Sequence, residues 1–340
     1  MGCEPVSSQA KARGASCGAV GVAVRVSDDP PAESWRASFS IGEVSFGISG
    51  AGLLPVFGPQ LELFRSDSIA CDLEISLEWA DRLYPPSGRL LFDSGSVWTL
   101  HEDGSGWLFD FVSDVVGPEP YKRLYIDKEF RSGHLLLNEK YFPDSAPSGP
   151  LDYPLDELVV MHRLGRERGI EVHAAGIRDA EGNGYLFLGH SGAGKSTTTR
   201  LWNQLPGMTV LSDDRIILRQ NQLRQNQAPK SPPEIWMYGT PWHGEAAFAA
   251  PEKARIERLF VIEHAPGEAP ELAPDNRITP ISGSIAVGEI MARSFLPFHD
   301  SVALEKTMTF LQEMVAILPC YRLEFRPDIT AVEVVRRFES

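Results

Sequence analysis

Long hydrophobic runs, paired cysteines and an excess of positive charge are all missing from this sequence of 340 residues. No apolar run approaches the roughly 18 residues of a membrane-spanning helix. The first residues, MGCEPVSSQAKARGASCG, contain no apolar centre of the kind that a secretory signal needs. We therefore expect a cytoplasmic protein with no membrane partner.

The cysteines and the charge balance exclude further classes. Cys3, Cys17, Cys71 and Cys320 are widely spaced, and none belongs to a C-x-x-C pair, which argues against a zinc knuckle and suits reduced thiols. Lysine and arginine together number 32 against 46 acidic residues, a formal net charge of -14. Because nucleic-acid binders usually carry a basic face, this balance argues against a nucleic-acid partner. An anionic ligand would need a local feature to hold it.

The composition is that of an ordinary globular protein, and the length suits about two domains. We predict a flexible N-terminal tail over residues 1–37, in which AVGVAVRV could add a strand. A mostly antiparallel, β-rich domain is predicted over 38–141, from short segments such as LELFRS, CDLEISLEW and GWLFDFVS that turn residues separate. The four prolines of YFPDSAPSGPLDYP predict a linker over 142–154.

Residues 155–340 form the second predicted domain, in which helical and strand patterns alternate. LDELVVMHRLGRERG has apolar residues at helical spacing, whereas IEVHAAGI and YLFLG are typical of strands. KSTTTRLWNQL predicts the next helix, and MTVLSDDRIILR predicts a strand that two aspartates interrupt. Such a mixture is typical of the α/β class.

The most specific motif is GHSGAGKST, which lies between the strand YLFLG and the following helix. Gly189, Gly194, Lys195 and Ser196 satisfy the pattern G-x-x-x-x-G-K-[ST]. Glycines let backbone amides turn toward phosphate oxygens, and the helix start adds a partial positive charge. Lysine at this position reaches the β- and γ-phosphates, and the serine hydroxyl can coordinate Mg²⁺. A chance glycine-rich turn is the alternative, but strand, loop and helix stand in the order that nucleotide binding requires.

The motif predicts ATP and Mg²⁺ as cofactors. The predicted nucleotide-binding residues are Gly189, His190, Ser191, Gly192, Ala193, Gly194, Lys195, Ser196 and Thr197. The motif does not distinguish reaction types, since hydrolases, kinases and mechanical ATPases all use it.

Two adjacent acids, Asp213 and Asp214 in VLSDDR, follow about one βα unit later. An apolar run that ends in acid is typical of the carboxylate that holds the metal in such proteins. A second carboxylate could take the proton of an attacking hydroxyl. On a regular strand the two would face opposite sides, so both reach one site only if the strand ends there. The alternative is that one of them is simply a solvated strand end.

GHSGAGKST followed by LSDDRIIL, with His173 upstream in EVHAAGI, resembles the catalytic domain of HPr kinase/phosphorylase and its relatives. The resemblance covers roughly residues 155–330. It implies a P-loop kinase domain of the HPr-kinase and phosphoenolpyruvate-carboxykinase type over 155–340, preceded by the β-rich domain. It also implies transfer of the γ-phosphate of ATP to a serine-type hydroxyl, and a homo-oligomer, which is frequent among these relatives.

The resemblance implies a role for each matching residue. Asp213 would be the general base, Asp214 would hold the metal together with Ser196, and His173 would line the phosphate pocket. Lys195 completes the implied catalytic set.

The chain departs from the family at His190 and Thr197, where the family usually has Asp and Glu, and it lacks the later EIRGLG-like signature. These departures leave the acceptor open: a peptide serine, a protein or a small alcohol. A P-loop ATPase or nucleotide-controlled regulator without any phosphoacceptor remains the alternative function.

Other residues allow two interpretations each. MYGTPWHGE, residues 237–245, is either a set of turns or part of a substrate cleft. Arg215 is expected to pair with a neighbouring acid, with stabilisation of transition-state charge as the alternative. Arg293 and His299 are expected on a solvated face.

Overall fold

The computed structural model describes residues 33–86, 88–104, 106–142, 149–220, 233–264 and 276–338. The predicted strand AVGVAVRV lies outside these residues. The tail predicted over 1–37 extends too far, because the residues from Ser34 onward belong to the first strand. Ser34 to Ile41 pair in order with the next strand, which explains why this polar stretch is ordered.

Among the described residues, those from 33 to 142 fold into one sheet of eight strands. The strands are β1 (Ser34–Ile41), β2 (Val44–Ala51), β3 (Leu73–Ala80), β4 (Arg89–Asp93), β5 (Trp98–Asp103), β6 (Gly106–Ser113), β7 (Gly117–Asp127) and β8 (Ser132–Asn138). They lie in the order β1-β2-β3-β8-β7-β6-β5-β4, and neighbours are antiparallel except that β3 runs parallel to both β2 and β8. The mostly antiparallel character predicted for this region is confirmed.

The segment LELFRS is not the strand that its composition predicted. Its first two residues belong to a short helix, α1 (Pro59–Glu62). Proline near the start of a helix has a preset φ and no amide hydrogen to leave unpaired, so it favours a helix start at this point. Leu61 and Phe64, three residues apart, are both buried, as one side of a helical turn would place them.

The second sheet, which has nine strands in the part of the chain that the structure describes, carries the glycine-rich motif. Its strands are β9 (Gly169–Arg178), β10 (Asn183–Leu188), β11 (Thr209–Ser212), β12 (Arg215–Gln220), β13 (Ile235–Tyr238), β14 (Lys253–His264), β15 (Arg277–Pro280), β16 (Ser294–Phe295) and β17 (Cys320–Phe325). The pairings β9–β10, β10–β14, β14–β13, β13–β12 and β12–β9 form a closed circuit. β14 continues beyond the circuit to pair with β17, which pairs with β15.

Helices cover both faces of this sheet, so the predicted mixture of helices and strands is present. The longer helices are α2 (Leu155–Gly165), α3 (Lys195–Trp202), α4 (Gly283–Met291), α5 (Ser301–Ile317) and α6 (Ile329–Arg337). On β10, Leu186 packs in one core with Phe310 of α5, and Phe187 packs in another with Trp202 of α3. Side chains alternate between the faces of a strand, so an apolar run such as YLFLG suits a strand that is covered on both faces. Within the described ranges, no helix has both the length and the apolar character that crossing a membrane would require.

The two sheets share an apolar core at the predicted linker. The described part of the linker, 149–154, contains Leu151, which is fully buried together with Leu155 of α2. The same core includes Phe46 of β2 and Ile217 of β12. Ala32–Ser340 accordingly forms one compact unit. The proline-rich stretch therefore separates two sheets and not two independently packed bodies.

His162 of α2 is expected to make the stability of this fold depend on pH. Its ring is buried and stacked on Phe130, with centroids 4.6 Å apart. Burial, together with the nearby His299 and Arg166, lowers the pKa of His162 from 6.5 to about 3. The unfolded chain therefore binds the proton first, so this stability is present above pH 6.5 and is lost as the pH falls toward 3. At about 1.4 kcal/mol per pKa unit, the loss from this ring alone reaches several kcal/mol by about pH 4.

Urea unfolding at a series of pH values between 7 and 4 checks this expectation. Replacing His162 with leucine should reduce the acid loss of unfolding free energy relative to wild type. His134→Gln, which removes a partly exposed histidine of β8, serves as the matched control and should leave the acid loss as it was. Equal acid loss in the His162 variant and in wild type would show that another group causes it.

Candidate active site

The glycine-rich loop between β10 and α3 has the backbone that an anion cradle needs. Gly192 and Gly194 have φ values of 80° and 99°, a region that favours glycine. A Cβ on Gly189 would lie 2.8 Å from the Cβ of Ala193, so the loop closes on itself too tightly for a larger residue. The first amides of a helix have no partner within the helix, and α3 begins directly at Lys195.

Lys195 extends back along the loop. Its ammonium donates to the carbonyl oxygens of Gly189 and His190, at 3.0 and 3.2 Å. Burial lowers the pKa of this lysine to about 8. Phosphate oxygens that approach the loop would therefore meet a desolvated cation, for which a negative partner is strongly favourable.

The two aspartates lie where the strand that runs beside β9 is interrupted. Ser212 of β11 pairs with Gly176, and the pairing resumes with Arg215 of β12 opposite His173. The Ser212 hydroxyl accepts hydrogen bonds from the amides of Asp214 and Arg215, each at 3.2 Å, which holds the interruption in shape. Because the strand is interrupted here, both acids lie at the same end of the sheet. This is the condition under which the sequence predicted that two adjacent acids could share one site.

The Asp213 carboxylate is buried and fully engaged. It accepts hydrogen bonds from the amides of Gly244, Ala246 and Phe248 at 3.0, 2.9 and 3.3 Å. The Ser196 hydroxyl donates to the same carboxylate at 3.4 Å. Asp213 is 1% exposed, so this carboxylate is fixed beside the hydroxyl of the glycine-rich motif.

Asp214 has a different environment. Its Oδ1 lies 2.7 Å from the Nε2 of His173, and its Oδ2 accepts from the guanidinium of Arg215. Burial by itself would raise the pKa of Asp214, but the His173 hydrogen bond and the charge of Arg215 outweigh burial and hold the pKa below its usual value. Asp214 is only partly buried, so its carboxylate stays ionised and reachable.

The structure thus pairs the acids differently from the roles that the resemblance implied. Ser196 contacts Asp213 and not Asp214, which instead contacts His173. Predicted residues that do come together are Gly189, His190, Ser191, Gly192, Ala193, Gly194, Lys195, Ser196, Thr197, His173, Asp213 and Asp214.

Arg215 was predicted to pair with a neighbouring acid, and it pairs with Asp214. Two further acidic partners of Arg215 were not predicted from the sequence. Its Nε lies 2.9 Å from Glu157 of α2 and 3.6 Å from Glu171 of β9, and its guanidinium stacks 4.1 Å from the ring centre of Phe295. Burial, together with the neighbouring Glu157, raises the pKa of Glu171 well above its usual value. Glu171 and His173 are two residues apart in IEVH, so both face the same side of the strand. This spacing could have indicated that Glu171 lies near the site.

Arg293 and His299 do not lie on the solvated face predicted for them. The Arg293 guanidinium is buried and donates to Glu289. The backbone carbonyl oxygen of Arg293 accepts a hydrogen bond from the amide of His173 at 2.6 Å. β16 pairs with β9 directly after Arg293, which places this arginine inside the fold. The His299 ring packs against Trp107, with centroids 5.1 Å apart.

The motif MYGTPWHGE proves to be both a set of turns and a wall of the site. A Cβ on Gly244 would lie 2.8 Å from the Asp213 Oδ2, so only glycine lets the amides of this loop come so close. Trp242 and His243 line a cleft of about 500 Å³ that adjoins Asp214. The cleft is lined by Gly58, Gln60, Leu61, Asp152, Tyr153, Asp156, Asp214, Arg215, Pro241, Trp242 and His243.

Gly244→Ala should therefore disturb Asp213 specifically. The added methyl must push the loop amides away from the carboxylate, so we expect a loss of about 1–3 kcal/mol in unfolding free energy. Gly288→Ala on α4 is the matched control, because nothing lies within 4 Å of the new methyl group there. Thermal unfolding of both variants decides the matter, and a Gly244 variant as stable as the Gly288 variant would contradict the expectation.

The donor set at Ser196 suits Mg²⁺. The hydroxyl of Ser196 and the carboxylate of Asp213 are hard oxygen donors next to the loop. Over the described residues, no group of three or more histidine, cysteine, aspartate or glutamate side chains could hold a metal. Mg²⁺ is usually held by one or two protein oxygens together with the phosphates of a nucleotide and water, so this small set fits it.

Comparison with known proteins found no family model that matches the sequence. No curated protein matches it either.

Proposed function

We propose that this protein is a Mg²⁺-dependent kinase that transfers the γ-phosphate of ATP to a serine-type hydroxyl of a peptide or protein. The observation that carries the proposal is the succession of contacts from the loop to the cleft. Lys195 covers the loop, Ser196 touches Asp213, and Asp214 stands beside His173 at the edge of the cleft. A nucleotide site therefore leads directly to a carboxylate and to space for an acceptor.

The loop residues supply the binding of the nucleotide. Amides of residues 189–197 and the helix start of α3 would hold the phosphates, and Lys195 would exchange its carbonyl partners for phosphate oxygens. Mg²⁺ bound with ATP would neutralise part of the charge on the β- and γ-phosphates. Ser196 and Asp213 are the residues that would hold it.

We assign the role of base to Asp214 and not to Asp213. The oxygens of Asp213 already accept four hydrogen bonds, and Asp213 is not among the described residues that line the cleft, so an acceptor hydroxyl bound in the cleft meets Asp214 and not Asp213. Asp214 borders the cleft, and His173 orients its carboxylate. In the transfer, the acceptor oxygen forms a bond to the γ-phosphorus, the bond from that phosphorus to the β-phosphate oxygen breaks, and ADP leaves. The acceptor proton passes to Asp214.

A transfer assay tests this function. The protein is incubated with Mg²⁺, γ-labelled ATP and a set of serine peptides, and both labelled peptide and free phosphate are measured. A kinase yields labelled peptide that requires Mg²⁺. Free phosphate without any labelled acceptor would instead support the alternative, an ATPase or nucleotide-controlled regulator.

A further inference from the structure

The cleft beside Asp214 is built by both halves of the chain. Gly58, Gln60 and Leu61, at the start of α1, border it from the side of the eight-stranded sheet. Pro241–His243 border it from the second sheet. A volume of about 500 Å³ is enough for one or two side chains of a bound chain. The segment that connects β2 to β3 therefore contributes directly to the space in front of the proposed base.

Carboxylates dominate the charge of this cleft. Asp152, Asp156 and Asp214 line it, and Arg215 is the one lysine or arginine among the described lining residues. The charge of Arg215 is already compensated, because its guanidinium contacts the carboxylates of Asp214 and Glu157. Lys122 is fully buried and is not among the described lining residues, and its ammonium donates to the carbonyl oxygens of Pro150 and Asp152.

Asp156 is a buried residue of the cleft lining that adds negative charge when its carboxyl group is ionised. Its carboxylate accepts a hydrogen bond from the Trp242 indole at 2.9 Å. Burial raises the pKa of Asp156 to about 7. A cation that enters the cleft would favour the ionised form of this carboxyl group.

The rim of the cleft suits a cationic side chain carried by a peptide. Tyr153 is 59% exposed, and an exposed aromatic ring next to carboxylates attracts lysine and arginine. Asp152 and Gln60 are also exposed, so the cleft opens to solvent where a chain could enter and leave. The Gln60 amide can both donate to and accept from a peptide backbone.

We propose that this cleft binds the phosphoacceptor and that it selects a peptide serine with a lysine or arginine beside it. The proposal rests on the kinase function proposed above. Asp152, Asp156 and Tyr153 determine the specificity in this scheme, and Asp214 receives the proton.

The test uses three serine peptides of equal length in which arginine, glutamine or glutamate flanks the serine. Phosphate transfer is measured by mass spectrometry, and binding is measured separately by fluorescence anisotropy with a non-hydrolysable ATP analogue. We expect kcat/KM for the arginine peptide to exceed that of the glutamine peptide at least about tenfold, the order of one charge-assisted contact. The glutamate peptide should be the poorest substrate.

Variants connect the preference to the cleft. Asp152→Asn should bring the arginine and glutamine peptides close to equal kcat/KM, and Tyr153→Leu should reduce the preference without removing a charge. Glu333→Gln is the matched control, since it removes one exposed carboxylate on α6, away from the lining residues. Thermal unfolding confirms that each variant is folded, and the Tyr153 variant remains informative if the Asp152 variant is not.

The outcomes separate this proposal from the proposed function. Transfer without charge preference, or with a preference that Asp152→Asn leaves intact, overturns the proposal and leaves the kinase in place. Binding of the arginine peptide that depends on Asp152, but without transfer to any peptide, overturns the kinase and keeps the assignment of the cleft as a site for cationic side chains. If the peptides neither bind nor receive phosphate, both the kinase function and the proposed specificity are overturned. Transfer to ethanolamine but to no peptide would show that the acceptor is a small amino alcohol.

Discussion

Asp214→Asn is expected to reduce phosphate transfer by a factor of about 10² to 10⁴, the usual contribution of a positioned general base. Asparagine keeps nearly the same shape and can still contact His173 and Arg215, but it cannot take the proton of the acceptor hydroxyl. The KM for ATP should change little, because the loop that we propose as the nucleotide site does not include this side chain. Single-turnover transfer to the best peptide measures the effect on the chemical step.

Asp213→Asn provides the contrast that separates the two acids. This side chain touches Ser196 and three amides of the loop after β13. We expect its replacement to raise the Mg²⁺ concentration needed for half-maximal turnover and to lower thermal stability. If the Asp213 variant loses transfer at saturating Mg²⁺ while the Asp214 variant retains it, the roles implied by the family resemblance are right and our reassignment is wrong.

Lys195→Met is expected to lower kcat/KM for ATP by a factor of about 10² to 10³, the cost of removing one charged donor from a desolvated site. Methionine has a similar length and fills the same space, so the buried position beneath the loop stays packed. Only the charge is lost, together with its donation to Gly189 and His190. Nucleotide binding by calorimetry and turnover by phosphate release measure the two consequences.

Arg200→Met is the matched control for Lys195→Met. Arg200 is an exposed cation on the same helix, α3, and the two substitutions change the net charge equally. The control should bind and turn over ATP as wild type does. If both variants behave alike, a general electrostatic effect of the acidic protein explains the loss, and the loop is not the nucleotide site.

The features that the sequence predicted well are local ones. Gly194, Lys195 and Ser196 are adjacent in the chain, and a strand before them and a helix after them can be recognised from periodicity. The interruption of the strand at Asp213 was also predictable, because two acids cannot continue an apolar strand that is covered on both faces.

The features that the sequence did not reveal depend on distant partners. Glu157 lies 58 residues from Arg215 along the chain, and its place in a buried helix gave no sign of the ion pair. The amide of Gly244 lies 31 residues from Asp213, and an amide hydrogen leaves no trace in a residue pattern. The division of labour between Asp213 and Asp214 follows from these contacts, so residue types alone could not decide it. Arg293 was placed on the surface for the same reason, because the short strand that draws it inward has only two residues.

Leu151, Leu155 and Ile217 lie in one apolar core with side chains of the first sheet, which limits how this protein can evolve. Neither sheet can be exchanged, lost or recombined without uncovering the interior of the other. A lineage that altered the proposed acceptor cleft would therefore have to do so by point substitutions around α1 and Tyr153. The proposed acceptor cleft and the proposed catalytic residues should therefore diverge together, in contrast to modular enzymes that acquire new targets by exchanging whole domains.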